Sequence, residues 1–121
     1  GPTMTEGLKL TVDRRSGLAV LYTDGYINNQ GGEEIARAAY ELIDQGYTRL
    51  LLNLHGTKII NSIGISILIE IIERMLQIDG RLGFCALTPT IEKTFHIMGL
   101  AQYAGIFPDE TAAIAALAPG P

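Results

Sequence analysis

The chain has 121 residues, of which 47% are hydrophobic and 18% charged, and a formal net charge of −4. That length suits one domain with a real core, and that composition excludes a disordered chain. With no basic cluster, nucleic-acid binding is not expected, because it needs a cationic surface.

Gly1-Pro2 before Met4 reads as a tag-removal scar, and residues 1–3 are set aside from the fold. Leu8, Leu10 and Val12 alternate with Lys9, Thr11 and Asp13, which predicts a half-buried strand. Arg14-Arg15 and Ser16-Gly17 mark a turn, and Leu18 to Tyr22 is a second strand, paired with the first as a hairpin. Asp24-Gly25 and Asn28-Asn29 read as breaks. A helix opens at Gly31-Gly32-Glu33-Glu34, with an apolar stripe of Ile35, Ala38, Ala39, Leu42 and Ile43, and Gly46 follows its end.

Arg49 to Leu54 is a nearly unbroken apolar run, which predicts an interior strand covered on both faces. A second helix is expected from Ile63 to Ile78, closed by Asp79-Gly80. Arg81 to Leu87 is the next strand. Thr88-Pro89 starts a third helix, with Thr as N-cap and Pro at its first position. Ile91, Phe95 and Met98 should face inward there, and Gly99 should end it. Ile106-Phe107 is a short apolar segment, and Asp109 caps a final alanine-rich helix to about Leu117. Ala118 to Pro121 reads as a frayed end. Strands alternating with helices after a hairpin imply an α/β fold, a mixed β-sheet with helices packed against it. Residues 1–121 are expected to form a single domain with its core at about 8–117.

The residues offer little catalytic chemistry. The sequence lacks a G-x-S-x-G elbow, a Walker loop and a dinucleotide glycine fingerprint. His55 and His96 are isolated, and the spacing of His, Cys and carboxylates suggests no metal site and no cofactor. Cys85, the single cysteine, lies in an apolar run as a small buried hydrophobe, and a cytosolic address fits. The longest apolar stretch carries Glu70, Glu73 and Arg74, so membrane insertion is not expected.

Asn61-Ser62 at the start of the second helix admits two readings. Asn and Ser are favoured helix caps, worth about 1 kcal/mol with no further role. A serine there is also where an added phosphate would meet free backbone N–H groups and a favourable dipole. The helix itself carries Ser66, Glu70, Glu73, Arg74 and Gln77 on one polar stripe, with Ile65, Leu68, Ile72, Met75 and Leu76 as the core face. Ile63, Ile67, Ile71 and Ile78 are left on a flank. Either a neighbouring helix covers that flank, or it is an exposed patch beside Ser62 that docks a partner.

An apolar strand, a short loop and a polar pair opening a helix are arranged here as Leu50–Leu54, Gly56–Ile60 and Asn61-Ser62-Ile63-Gly64. Together with Leu21–Asn28, Gly80-Arg81-Leu82, Leu87-Thr88-Pro89, Met98-Gly99-Leu100 and Ile106-Phe107, this resembles a STAS domain of the anti-sigma factor antagonist type, over roughly residues 8 to 117. The resemblance implies a bacterial, cytoplasmic regulatory module without catalysis of its own. It implies phosphorylation of Ser62 by an anti-sigma factor with a histidine-kinase-like ATPase fold, which the unphosphorylated form sequesters, and resetting by a PP2C-type phosphatase. Asn61, Ile63, Gly64, Ile67 and Ile71 are the candidate partner-binding residues. Two positions depart from the family pattern Asp-Ser-Ser-Gly: Asn61 stands for Asp and Ile63 for the second Ser. Within the same family, a non-phosphorylated scaffold and a ligand-sensing or transporter-associated module are the alternatives.

Overall fold

In the computed structural model, which describes residues 7–119, the chain opens with an antiparallel hairpin. Its strands are β1 (Lys9–Arg15) and β2 (Leu18–Asp24). Next come α1 (Asn29–Asp44), β3 (Arg49–Gly56), α2 (Ser62–Gln77), β4 (Arg81–Cys85) and α3 (Pro89–Ile97). A 3-10 turn (Leu100–Gln102), β5 (Gly105–Phe107) and α4 (Glu110–Leu117) complete the order. The sheet runs β1-β2-β3-β4-β5, with β2 to β5 mutually parallel and β1 antiparallel at one edge. This is the mixed sheet that the sequence pattern implies.

Side chains alternate across the sheet, so each strand feeds two layers. Leu50, Leu52 and Leu54 join Ala19, Leu21 and Phe84 in the larger core layer with α1, α2 and α3. Leu51 points the other way, with Leu18, Val20 and Cys85, into a smaller layer closed by Ala113 and Leu117 of α4. The apolar run of β3 is thus covered on both faces, as its composition requires. Phe84 and Phe95 meet edge to face at 5.0 Å, which fixes α3 on the sheet. The α4 helix is alanine-rich and buries little, and polar contacts hold its end. Arg49 Nη1 donates to the carbonyls of Leu117 (2.8 Å) and Ala118 (3.1 Å), and Arg81 Nη1 to that of Ala116 (3.3 Å). Cations at a helix C-terminus also suit the dipole.

Several boundaries differ from the sequence reading. Asn28 is not a break but the N-cap of α1, its Oδ1 accepting from Gly31 N at 2.9 Å. The β4 strand stops at Cys85 rather than Leu87, because Ala86 takes a positive φ of 60° and turns the chain. Met98 does not face inward: it lies past the end of α3 and is 51% exposed. Leu76, expected in the core, is 46% exposed in the last turn of α2. Ala118 and Pro119 lie close to the sheet, Ala118 through Arg49 and Pro119 beside Gly17. Residues 1–3, Gly120 and Pro121 lie outside the described residues.

Candidate functional site: the start of the second helix

The loop after β3 is laced to the segment after β2. Gly25 N donates to Gly56 O (3.0 Å), Ile27 N to Ile59 O (3.0 Å), and Asn61 N to Ile27 O (3.1 Å). Ile27 and Ile60 form a single parallel bridge beyond the ends of the two strands. Beneath it the buried hydroxyls of Thr23 and Thr57 share a hydrogen bond of 2.6 Å. These contacts fix the loop that delivers the chain into α2.

Asn61 is the cap of α2. Its backbone is extended (φ −91°, ψ 175°), and its Oδ1 accepts from Gly64 N at 2.8 Å. Ser62 is the first residue of the helix proper, and it is exposed. Of the Asn61-Ser62 pair, Asn61 is therefore the residue that caps the helix. The amide oxygen satisfies the helix terminus, and the serine hydroxyl takes no part in that cap. Ser66, one turn on, spends its hydroxyl on the Ser62 carbonyl at 3.1 Å.

Gly64 is buried because α2 starts in contact with the backbone of Ile27. A Cβ at this position would run into Ile27 O and would lie 3.0 Å from Ile27 Cγ2. The same economy of space recurs between the helices. Gly32 of α1 receives Ile67, whose Cδ1 would be 2.8 Å from any added Cβ.

The structure separates the sequence-derived candidates. Ser62 and Ile63 are exposed, Ile63 by 52%, and Asn61 is half-buried at the cap. Ile67 is half-buried against α1, and Ile71 is fully buried. The flank is thus covered by a neighbouring helix. Ile71 is corrected from a contact residue to a core residue, and Ile67 to a helix–helix packing residue. Arg74 above the Tyr40 ring, 5.4 Å from its centroid, closes the same α1–α2 seam. Gly64 contributes close approach and offers no side chain.

Two residues near Ser62 went unnoticed in the sequence. Ile59 is 60% exposed and Tyr26 41%, and they line one shallow depression with Lys58. Ile59 sits in Ile59-Ile60, two isoleucines of which the second is half-buried and the first exposed; an apolar pair in a loop was the available signal. The perturbed acids lie elsewhere. Burial pushes the Cys85 thiol up to about 12, with Glu110 and Asp109 adding to it. Burial, then Glu110, raises Tyr22 on the α4 side of the sheet, where Glu110 also meets Asn53 Nδ2 at 3.1 Å and Arg15 at 3.3 Å. Among the described residues, no group of three His, Cys, Asp or Glu side chains could hold a metal, and no helix is long and apolar enough to cross a membrane.

A five-stranded mixed sheet with α1, α2 and α3 on one face and α4 on the other, presenting a capped helix start at its surface, defines a small α/β module. The STAS domain pattern matches residues 9–113, and the chain belongs to that family. It is 28% identical over 101 residues, 84% of each chain, to BtrV of Bordetella bronchiseptica, whose name calls it an anti-sigma factor antagonist. The fold is similar to an anti-sigma factor antagonist of Mycobacterium paratuberculosis, with a TM-score of 0.83 at 20% identity over 97% of this chain and 99% of that one. It is also similar to SpoIIAA of Bacillus in its phosphorylated form, with a TM-score of 0.71 at 19% identity over 89% and 99%. The unphosphorylated form of SpoIIAA matches with a TM-score of 0.72 at 15% identity over 89% and 96%.

Proposed function

We propose that the chain is an anti-sigma factor antagonist, a non-catalytic binding module switched off by phosphorylation of Ser62. The observation that carries this reading is the division of labour at the start of α2. Asn61 supplies the cap, so the exposed Ser62 hydroxyl is available for chemistry. Family membership and the names of its relatives support the partner class, an anti-sigma factor. That SpoIIAA exists in phosphorylated and unphosphorylated forms supports the switch.

In the unphosphorylated state Ile63, Ile59 and Tyr26 give an apolar contact beside Ser62, and the anti-sigma factor, a kinase of histidine-kinase-like fold, is held there. The kinase then transfers the γ-phosphoryl group of ATP. Ser62 Oγ bonds to the γ-phosphorus, the bond to the β-phosphate oxygen breaks, ADP leaves, and the hydroxyl proton passes to a base on the kinase. Phosphate adds nearly two negative charges. The first turn of α2 tolerates them through its dipole and free N–H groups. The apolar contact does not, because it would have to desolvate them, and the complex separates. A PP2C-type phosphatase restores the hydroxyl. The cytoplasm is where such a partner set works.

Asn61 in place of Asp favours one second reading, a docking scaffold that is not phosphorylated. Incubation with the cognate kinase and ATP, followed by mass spectrometry, decides between them. One phosphate on Ser62, lost in Ser62→Ala, is expected; no phosphate, or phosphate elsewhere, moves the protein to the scaffold class. Asn61→Asp should raise the transfer rate if a carboxylate beside the acceptor assists it, while keeping the cap.

A further inference from the structure

The two edges of the sheet are unlike. The β5 edge has three residues, and α4 follows it closely. The β1 edge has seven, and among the described residues no strand pairs with its outer side. A strand so placed offers a row of backbone N–H and C=O groups for another strand to join, and the charged side chains along it decide which strands can.

On β1 those side chains are ordered. Neighbouring residues of a strand face opposite sides of the sheet. Leu10 and Val12 are half-buried and pack against the larger core layer. Lys9, Thr11 and Asp13 therefore stand together on the other side, where Thr11 is set beside Tyr22 of β2. Along that side the strand reads cation, neutral, anion. Lys9 is exposed, and among the described residues it has no ion-pair partner. Asp13 gives one carboxylate oxygen to Arg15 Nε at 2.9 Å, and both of those side chains are open to solvent, so a second cation can join them.

We infer that two copies of the chain join antiparallel along β1, about a two-fold axis at Thr11. In this register Lys9 of each copy stands opposite Asp13 of the other, Thr11 opposite Thr11, and Leu10 opposite Val12. A two-fold contact repeats each pair. One side of the junction thus carries two pairs of opposite charge, and the other continues the apolar layer. Directly opposed residues have Cβ atoms about 4.5–5.5 Å apart, within reach of an ion pair. The neighbouring registers fail. An axis between two residues sets the core side of one strand against the solvent side of the other. An axis at Val12 puts Lys9 opposite Arg15, and an axis at Asp13 puts that acid opposite itself. An axis at Leu10 leaves Lys9 opposite Thr11 and Asp13 opposite Gly7, with no ion pair. The charges that turn away an unrelated strand are therefore the ones that admit a copy, in one register.

Sedimentation of the purified chain over a wide concentration range tests the pairing, with a thermal melt for each variant. The wild type should be a reversible dimer, and amide hydrogen exchange within residues 9–13 should slow as concentration rises. Lys9→Asp alone and Asp13→Lys alone should each weaken the dimer by about tenfold or more, since each sets two like-charge pairs in place of two opposite ones. Both melts should stay close to wild type, because neither side chain belongs to the core. An equal mixture of the two variants should recover the dimer, because one chain then carries acids and the other bases at both positions. A wild type that stays monomeric at its highest soluble concentration would overturn the inference. So would a dimer indifferent to Lys9→Asp, or a mixture that fails to recover the dimer, since either result puts the contact elsewhere.

Discussion

Replacing Gly64 by alanine tests how the start of α2 is held against the loop after β2. The added methyl meets the Ile27 carbonyl head-on and sits 3.1 Å from the Ile27 carbonyl carbon. Ile27 cannot retreat freely. Its side chain is fully buried, its N–H is bonded to Ile59 O at 3.0 Å, and its carbonyl accepts from Asn61 N at 3.1 Å. Relief must come from lifting α2 off the loop, which stretches the Asn61 bond. Overpacking of this kind costs about 1–3 kcal/mol, and a weakened hydrogen bond about 1 kcal/mol more. Alanine returns about 1 kcal/mol through helix propensity. The balance is a net loss of about 1–3 kcal/mol, or a fall in Tm of roughly 4–12 °C for a chain of this size. Urea denaturation and a thermal melt against the wild type measure it. Equal or higher stability in Gly64→Ala would refute the claim that close approach to Ile27 is what demands glycine here.

Thr57→Val leaves the buried Thr23 hydroxyl without its 2.6 Å partner and should cost about 1–3 kcal/mol in urea denaturation; Thr23→Val with Thr57→Val should recover part of it. Ile63→Asp, at a 52% exposed position, should leave the melt close to wild type and weaken anti-sigma factor binding in calorimetric titration, whereas Ile71→Asp, at a fully buried one, should fail to fold; equal effects of the two on folding would contradict the assignment. The Cys85 thiol, raised from 9.0 to about 12, favours the neutral form in the folded chain. Its contribution to stability is complete below the unfolded value and is lost as pH rises through the window from about 9 to about 12. Denaturation midpoints across that window, compared with Cys85→Ala, should show the loss in the wild type alone, and alkylation of the native protein at neutral pH should be slow.

The parts of the fold legible in the sequence are those where one local signal decides. Leu50–Leu54 is apolar at almost every position, and only an interior parallel strand uses such a run. Thr88-Pro89 and Asp109 announce helices by cap chemistry, and both do cap, accepting from Ile91 N (3.2 Å) and Ala112 N (2.9 Å). The misread positions are decided by neighbours. Ile67 and Ile71 looked surplus because α2 was weighed against one core face, whereas α1 supplies a second through Gly32. Leu76 lies on the expected face, but the groove beside it is open. Asn28 reads as a break because the same residue type serves turns and helix starts, and only the bond to Gly31 N distinguishes them. At the candidate site, Asn61-Ser62 was visible as a pair, but which of the two caps depends on the extended backbone of Asn61, a property of the loop.

The lacing at Ile27 makes the two helix starts one mechanical part. Ile27 precedes Asn28, which caps α1, and its carbonyl grips Asn61, which caps α2. A displacement of Ser62 that moves Asn61 therefore pulls on the beginning of α1 through Ile27. A phosphoryl group added to the exposed Ser62, as proposed, would be small and would have no lever with which to do that. Under the proposed switch the signal would be written on the surface as charge: the partner would meet the same shape before and after, with a different welcome.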